Sequence, residues 1–383
     1  DTARKLTPLI RAWPGESQHK RAVSGLDVLA DIGSDVALML LNGIAKKIKF
    51  VALQEHAREK INIVAENRGL TMAELEDRLA PDLGLDSSGS LTLDFGPRQF
   101  TVGFDETLKP VVRDANGKVL KDLHKQNQSD DKTLATDAVN LFKQLKKDVR
   151  AIASQQVDRL EQAMCQRRRW TAEQFRLFLV EHPLVRHLTR RLLWGVYTEE
   201  NTLIACFRVA EDSTYSDMQD ELFTLPAGNI GIPHMLEIPP ESAAAFRPIY
   251  ADYELLPPFQ QLDRGSYRLA DNERNTHELT RWSGRLCQAG RIVGLERRGW
   301  QLLEESGSVY AMRKSTPYGA LELETEPFSL IYGETGYSDL LPVESVKITA
   351  PYDRYGKQSS PTFSVLDNIT ASELINDIES LFD

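Results

Sequence analysis

The sequence has few of the features that mark membrane, secreted or metal-binding proteins. It contains no long apolar run, and its first residues lack the apolar core of a signal peptide, so we expect no transmembrane helix. The cysteines among its 383 residues, Cys165, Cys206 and Cys287, are widely spaced. This spacing argues against a disulfide framework or a zinc site, and it fits the reducing cytoplasm.

Short motifs that identify common enzymes are also absent. The sequence has no glycine-rich phosphate or dinucleotide loop, no C-x-x-C, no H-E-x-x-H and no G-x-S-x-G. The seven histidines are dispersed, and the closest pair, His182 and His187, does not share one helix face. We therefore predict no metal and no cofactor and assign no catalytic residue, although distant residues can still assemble a catalytic site.

The composition is typical of a globular protein with two or three domains. Hydrophobic residues make up 41% of the chain and charged residues 27%, as in ordinary soluble domains. The net charge of −10 disfavours non-specific binding to nucleic acid or membranes. The first residue is not methionine, so we expect the chain to be part of a longer protein.

Hydrophobic spacing predicts helices in the first region, residues 1–82. Apolar residues recur at helical intervals from Val23 to Ile44, but Gly33 and Gly43 interrupt this pattern, so we expect two short helices rather than one. A further helix is predicted to open at Thr71 with a capping-box pattern. Short paired helices of this kind resemble the units of HEAT-type solenoids.

The composition changes at about residue 83, and residues 83–125 predict a small β-meander. Short runs such as the one from Phe100 to Phe104 alternate apolar with polar residues. Asn116-Gly117 is a strong signal for a hairpin turn. We expect three or four strands here.

A polar linker at 126–131 precedes the third predicted domain, residues 132–383. A long amphipathic helix begins this domain and is expected to brace two domains. Seven residues form its apolar stripe, namely Leu134, Ala138, Leu141, Leu145, Val149, Ile152 and Leu160.

The rest of this domain is predicted to combine helices with an antiparallel sheet. Helices are expected over 239–253, over 275–290 and from Thr370, where Glu373 completes a capping box. LLWGVY and LIACFRVAED are typical of a hairpin, and FTLP is a further candidate strand. The predicted fold class is therefore α+β.

Arginine is concentrated in QRRRWTAEQFRLFLVEHPLVRHLTRRLLWGVY, residues 166–197, which holds seven arginines and two acids. A capping box and a restart at Pro183 predict two helices that lead into a strand. A second basic cluster surrounds Trp300. The candidate anion contacts are Arg168, Arg169, Arg186, Arg190, Arg191, Arg297 and Arg298, with Trp170, Trp194 and Trp300 as aromatic candidates.

Two interpretations of these arginines are open. Arginines near a helix C-terminus stabilise it, and others can pair with acids of the same chain. Alternatively, they form a site for phosphate, nucleic acid or an acidic protein segment, because guanidinium groups bind such anions in a bidentate way. We favour the first interpretation, since structural ion pairs are common.

The arginine-rich stretch also resembles a known protein family. RRRWTAEQFRLFLVEHPLVRHLTRRLLWGVY, followed by LIACFRVAED and FTLP, is similar to the bacterial domain of unknown function 4132. The segments QVDRLEQAM, LERRGW and ASELINDI are similar as well. The resemblance implies the C-terminal region of a long, WGR-associated protein of the molybdate-metabolism-regulator-like (MolR and YehI) type. It carries no established enzymatic activity, so it implies no catalytic residues.

We therefore expect a non-enzymatic regulatory or scaffolding module in the cytoplasm. It would act through protein partners or through other domains of the same full-length chain, with an arginine-rich surface as a candidate anion site. The alternative is an uncharacterised enzyme that acts on nucleotides or nucleic acid. Nucleic acid is the less favoured partner, and no membrane contact is expected. A deep pocket with buried acids beside the arginines would favour the enzyme, and a flat arginine face would favour binding.

Overall fold

The fold is known from a computed structural model, which describes residues 2–382 except 34, 49, 68, 71–73, 76, 78, 79, 81, 106, 306, 330–337 and 351–360. The chain divides into two compact units. Unit 1 comprises Asp1–Gln156 and Gln174–His187, and unit 2 comprises Val157–Glu173 and Leu188–Asp383. Both contain helices and antiparallel sheets, so the predicted α+β class is confirmed. The division into three domains at the predicted boundaries stays a prediction.

Four helices form the first part of unit 1. They are α1 (Thr2–Ala12), α2 (His19–Ile32), α3 (Asp35–Lys47) and α4 (Val51–Asn67). The predicted break at Gly33 is confirmed, because this glycine ends α2 in the left-handed region at φ 55°. Ile10, Leu26 and Leu53 belong to the shared core of these helices. The helix predicted from Thr71 lies largely outside the described residues, and the likeness to HEAT units stays a prediction.

The predicted β-meander is an antiparallel sheet of four strands in unit 1. The strands, paired in chain order, are β1 (Leu91–Asp94), β2 (Gln99–Phe104), β3 (Pro110–Asp114) and β4 (Val119–Leu120). The hairpin turn at Asn116-Gly117 is confirmed, since the Asp114 amide donates to the Lys118 carbonyl at 3.0 Å. Gly117 has φ 79°, a left-handed conformation that glycine adopts without steric cost.

The predicted long helix is α5, Lys132–Cys165. Residues 132–156 belong to unit 1, and the remainder belongs to unit 2. Leu134 and Leu141 are 42% and 45% exposed, so their assignment to the buried stripe was wrong. The other five residues of the predicted stripe are buried, namely Ala138, Leu145, Val149, Ile152 and Leu160, so the stripe is otherwise confirmed; Phe142 is buried as well, at 4% exposure.

The arginine-rich stretch forms shorter helices than predicted. Helix α6 covers Ala172–Phe175 and continues as a π-helical turn over Arg176–Val180, and α7 covers Arg186–Thr189. Of the residues predicted to face inward, Phe178 is only half-buried, and the others are buried, namely Phe175, Leu179, Leu184, Val185, Leu188 and Leu192. The spacing of the apolar residues therefore reflects which side chains are buried and does not give the length of the helices. Only one turn of helix follows Pro183.

Unit 2 contains a five-stranded antiparallel sheet with the order β5-β9-β6-β7-β8. The strands are β5 (Arg169–Trp170), β6 (Leu193–Tyr197), β7 (Leu203–Val209), β8 (Tyr215–Ser216) and β9 (Asn229–Gly231). The predicted hairpin is β6–β7, and helix α8 (Pro240–Asp252) confirms the helix predicted over 239–253. Residues 223–226 (FTLP) are described and form no strand, so that prediction was wrong.

A second antiparallel sheet in unit 2 has six strands. They are β10 (Glu278–Leu279), β11 (Leu286–Gln288), β12 (Gln301–Glu305), β13 (Ser308–Thr316), β14 (Gly319–Ser329) and β15 (Leu340–Thr349). Their order is β10-β15-β14-β13-β12, and β11 also pairs with β15. Short helices α9 (Asp271–Arg274) and α10 (Ala289–Gly294) lie in the segments that connect to it.

The helix predicted over 275–290 is wrong, because residues 278–279 and 286–288 of this segment are strands that pair with the sheet. Strands β10 and β11 both bind β15. Between them Gly284 adopts φ 79°, and its amide donates to the Val343 carbonyl at 2.9 Å. Pairing with β15 satisfies the backbone groups that a helix would otherwise have satisfied, so tertiary contacts override the apolar spacing.

The last helix, α11 (Asn368–Glu379), packs into the core of the six-stranded sheet, as its apolar face predicted. Asp367 caps it, since Oδ1 accepts from the second and third amides of the helix at 2.8 and 3.2 Å. The capping box predicted at Thr370 and Glu373 is therefore wrong. Glu373 is only 4% exposed and points into unit 2.

Candidate functional site

Arg186 binds groups of its own unit. Its Nη2 donates to the carbonyl oxygens of Ser87 at 2.7 Å and Glu181 at 2.9 Å. The same loop closely approaches the segment before α7, since a Cβ on Gly89 would lie 2.8 Å from the Pro183 carbonyl oxygen. Arg186 therefore holds the 86–90 loop in place, which supports the structural interpretation of this residue.

Arg190 and Arg191 belong to unit 2 and also contact their own unit. Arg190 Nη2 lies 3.4 Å from Ser213 Oγ. Arg191 is 8% exposed and donates from Nη1 to the Leu256 carbonyl oxygen at 3.1 Å. A guanidinium this deeply buried serves its own fold rather than an external anion.

The tryptophans of this stretch are core residues. Trp170 and Trp194 are 1% and 0% exposed and pack edge to face, with ring centroids 5.9 Å apart. Trp194 Nε1 donates to the Thr189 carbonyl oxygen at 2.8 Å. The Arg168 guanidinium lies 4.9 Å from the Trp170 ring centroid, so the two side chains form a cation–π contact within the fold. Neither ring is open to a ligand.

Arg169 is paired with a carboxylate of unit 2. Its Nη2 donates to Glu237 Oε1 at 3.0 Å, and both side chains are at most 10% exposed. The guanidinium also lies 3.5 Å from the ring centroid of Tyr197. Tyr197 OH in turn donates to Glu237 Oε2 at 3.1 Å. Arg169 is thus part of a buried ion-paired cluster.

The second arginine cluster is divided in its role. Asp377 is 1% exposed and accepts from Arg298 Nη1 at 3.1 Å, from Trp300 Nε1 at 2.8 Å and from Lys314 Nζ at 2.7 Å. Trp300 is 1% exposed and so belongs to the core, as expected. Arg297 is exposed, and no described residue pairs with it. Arg298 therefore stabilises the fold through Asp377, whereas Arg297 makes no interaction with a described residue.

A larger buried cluster surrounds Glu373. Arg264 donates to it from Nε at 2.7 Å and from Nη2 at 2.5 Å, and His234 Nε2 lies 2.9 Å from Oε1. Cys165 Sγ donates to Oε2 at 3.3 Å. Arg264 also binds Glu161 through Nη1 at 2.7 Å. These contacts link the end of α5, the loop after β9 and helix α11 in one network.

Protonation within this cluster follows from its hydrogen bonds. His234 Nδ1 accepts from the Leu236 amide at 3.1 Å, so the proton sits on Nε2 and is donated to Glu373. Burial alone would raise the pKa of Glu373, but the bonds from Arg264 and His234 outweigh it and hold the pKa well below its usual range.

The thiol of Cys165 is not an activated nucleophile. Burial and the neighbouring Glu373 carboxylate raise the pKa of Cys165 well above its ordinary value. A reactive thiol needs the opposite shift, because the thiolate is the nucleophile. Cysteine, histidine and glutamate thus meet here in an arrangement that holds the fold together, although the same residue types form catalytic triads elsewhere.

The sequence prediction missed the carboxylates at the centre of these clusters. Glu373 and Asp377 lie four residues apart on one face of α11, beside buried Leu374 and Ile378. Two acids at this spacing within an apolar helix face are a usable signal for buried, paired charge. Their partners, such as Arg264, come from distant segments, which the sequence alone does not connect.

No metal-binding group of three or more His, Cys, Asp or Glu side chains occurs in the part of the chain that the structure describes. Within the same residues, no helix is both long and apolar enough to span a bilayer. The cysteines Cys165, Cys206 and Cys287 are all free thiols.

Unit 1 has an open groove along α1 and α2, which we call the α1–α2 groove. Its volume is about 440 Å³. The residues that line it are Leu6, Trp13, Lys20, Arg21, Ser24, Gly25 and Val28. Gly25 allows the two helices to approach, since a Cβ there would lie 2.6 Å from Ile10 Cγ1. Val28 is 43% exposed and Trp13 is half-buried, so part of the apolar floor is open to water.

The α1–α2 groove is basic although the chain as a whole is acidic. From the start of α1 to the end of α2, residues 2–32 contain five lysines or arginines and three acids, Glu16, Asp27 and Asp31, whereas the net charge of the chain is −10. Lys20 and Arg21 lie in the lining itself. A positive surface of this kind attracts an acidic partner and suppresses basic ones.

Comparisons with known proteins identify relatives of this chain. Residues 117–300 match a family described as a domain of unknown function, DUF4132. The chain is also 38% identical over 384 residues to a protein from Escherichia coli (strain K12) called uncharacterized protein YehI. That match covers all of this chain and 31% of YehI, so the chain spans about a third of the length of this relative. No solved structure matches the chain.

Proposed function

We propose that this chain, whose residues 117–300 match the model of DUF4132, a domain of unknown function, is a non-enzymatic module that acts through contacts with other polypeptides. The observation that carries this proposal is the α1–α2 groove, which combines an apolar floor with a basic rim. Apolar area with complementary charge at its edge is the usual composition of a polypeptide-binding groove.

The buried clusters support a non-catalytic role. Glu373 and Asp377 each accept from at least three donors of their own unit, and the Cys165 thiol is held protonated. A catalytic carboxylate or thiol needs free hydrogen-bonding capacity toward a substrate. These groups use their hydrogen-bonding capacity within the fold, so they support a structural rather than a catalytic role.

The occupant that best fits the α1–α2 groove is an amphipathic helix with an acidic face. Arg21, Ser24, Gly25 and Val28 follow i, i+3, i+4, i+7 spacing along one face of α2, which gives a straight apolar and basic track. A partner helix would place leucines or valines against this track and carboxylates toward Lys20 and Arg21. Exposed apolar side chains such as Val28 would then lose contact with water.

A synthetic helical peptide with leucines on one face and glutamates on the other tests this proposal. Labelled peptide should bind the chain saturably, and binding should weaken as salt screens the charges. Val28→Asp should weaken it by about tenfold or more, because it removes apolar contact and places a carboxylate in the groove. Val119→Asp is the matched control, since Val119 is 55% exposed on β4 of the same unit.

Two results would contradict the groove as the binding site. One is the absence of saturable binding at low salt. The other is equal loss of affinity in Val28→Asp and Val119→Asp, which would show that any added negative charge acts non-specifically.

We further propose that this module is the C-terminal region of a longer, cytoplasmic protein of the molybdate-metabolism-regulator-like, WGR-associated type. The resemblance of the arginine-rich stretch, the partial coverage of YehI and the free cysteines support this. The groove would then take a helix either from another domain of the same full-length chain or from a separate protein. If the helix comes from the full-length chain, that longer protein should bind the peptide at least about tenfold more weakly than this chain alone.

A further inference from the structure

Unit 2 contains a small, partly enclosed cavity of about 140 Å³. It shares no residue with the α1–α2 groove. Its lining consists of Arg167, Leu236, Glu237, Tyr267, Arg268, Asn368 and Ile369. The cavity therefore includes Arg167, from the arginine-rich stretch, and Arg268, neither of which was among the candidate anion contacts.

Two guanidinium groups face this cavity. Arg167 follows α5 in the left-handed conformation, at φ 55°, and its side chain remains 42% exposed. Its Nε lies 3.5 Å from Glu237 Oε1, a loose ion pair. Arg268 is exposed, and no described residue accepts a hydrogen bond from it or pairs with it. The five N–H donors of the Arg268 guanidinium therefore have no acceptor among the described residues.

The carboxylate in the lining does not cancel this positive charge. Arg169 neutralises Glu237 at 3.0 Å on Oε1. On Oε2, Glu237 accepts from Tyr197 OH and from the His234 amide, both at 3.1 Å. Donors of its own unit therefore satisfy both oxygens of Glu237. Arg167 and Arg268 give the cavity a net positive charge.

Neutral donors complete the lining. Asn368 is the first residue of α11, and it is exposed at the cavity. The side-chain amide of Asn368 binds no described residue, so it can donate to another acceptor. Tyr267 adds a phenol group to the same wall. Such convergent donors around two arginines are typical of anion sites in proteins.

The size of the cavity limits the ligand. Sites for drug-sized molecules measure about 300–1,000 Å³, whereas an engineered cavity of about 150 Å³ holds one benzene-sized molecule. At about 140 Å³, this cavity accommodates a single tetrahedral oxyanion but not a whole nucleotide.

We propose that this cavity binds a small tetrahedral oxyanion, phosphate or sulfate, with Arg268 and Arg167 as its cationic contacts and Asn368 as a neutral donor. Charge-assisted hydrogen bonds to the oxyanion would draw Arg268 out of solvent. The anion would leave the Arg169–Glu237 pair in place and would replace only the loose contact, 3.5 Å, between Arg167 and Glu237.

Calorimetric titration of the chain with inorganic phosphate and with sulfate tests this inference. One saturable site per chain is expected at low salt, weakening as salt rises. Arg268→Gln should weaken binding about tenfold or more. Arg268→Lys should restore part of the affinity, because lysine keeps the positive charge but lacks the planar pair of N–H donors. Both variants should unfold at the temperature of the original chain, because Arg268 is exposed.

Arg297→Gln is the matched control. It removes the same charge from another exposed arginine of unit 2 that no described residue pairs with. Binding should be unchanged in this variant. Loss of binding to the same extent as in Arg268→Gln would overturn the inference, and so would the absence of saturable binding to either oxyanion.

Titration with AMP distinguishes a free from an esterified phosphate. Equal or weaker binding of AMP is expected, since the cavity has no room for the nucleoside. Binding that depends on Arg268 and is at least about tenfold tighter than that of phosphate would overturn the assignment to a free oxyanion.

Discussion

Glu373→Gln is the substitution that most directly probes how unit 2 is held together. Glu373 and Arg264 form a buried pair, with side chains 6% and 4% exposed. Removing one partner of such a pair costs about 3–5 kcal/mol, because the other charge is left without compensation. Glu161 still binds Arg264 at 2.7 Å, so the lower end applies. We expect the free energy of unfolding at pH 7 to fall by about 3 kcal/mol.

The pH dependence of this loss follows from the direction of the pKa shift. The pKa of Glu373 lies well below the value of 4.5 that applies to the unfolded chain. The stabilisation is therefore complete above pH 4.5 and is lost as the pH falls from there toward the folded-state pKa. The difference between the original chain and Glu373→Gln should shrink by about 1.4 kcal/mol per pH unit below 4.5.

Urea unfolding followed by tryptophan fluorescence measures this difference. Four of the five tryptophans, Trp170, Trp194, Trp282 and Trp300, belong to unit 2, so the signal reports mainly on that unit. Glu199→Gln is the control, because Glu199 is exposed and should change stability by less than about 0.5 kcal/mol. A loss below about 1 kcal/mol in Glu373→Gln, or a loss that is the same at pH 4 and pH 7, would refute the reasoning.

Three further predictions concern other contacts of the fold. Asp377→Asn should lower the free energy of unfolding by about 3 kcal/mol, because it leaves buried donors around a neutral amide; urea unfolding checks this, and a change under about 1 kcal/mol contradicts it. Gly89→Ala should cost more than Gly117→Ala in the same assay, since both have positive φ but only Gly89 would clash, with Pro183. Equal losses would show that the close approach does not matter. The three thiols should react slowly with Ellman's reagent at pH 8 in the folded chain and quickly in urea. Burial raises the pKa of each thiol, to about 12 for Cys206 and about 11 for Cys287. Fast reaction of the folded chain would contradict this prediction.

Much of the fold follows from local patterns in the sequence. The break at Gly33, the turn at Asn116-Gly117 and the helix over 239–253 each depend on backbone preferences within a few residues. The segment 275–290 shows the limit of such patterns. Its apolar spacing suits a helix, but pairing with β15, about 60 residues away, decides its conformation.

The sites depend even more on distant contacts. The arginine-rich stretch drew attention to Arg186, Arg190 and Arg191, whose contacts Ser87, Ser213 and Leu256 come from elsewhere in the chain. Nothing in the local sequence distinguishes these arginines from the ones at the cavity. Whether an arginine pairs within the fold or is free to bind a ligand depends on which distant segments pack beside it. Composition and residue spacing do not contain this information.

Acrylamide quenching of Trp13 tests the central claim, that the α1–α2 groove binds an acidic amphipathic helix. Trp13 is the half-buried one of the five tryptophans, and the other four are at most 1% exposed, so quenching reports mainly on the groove. Saturating peptide should protect Trp13 from the quencher, and Trp13→Phe should remove most of the quenching together with this protection. A peptide that binds saturably but leaves the quenching of Trp13 unchanged would contradict the claim, because it would then occupy another surface.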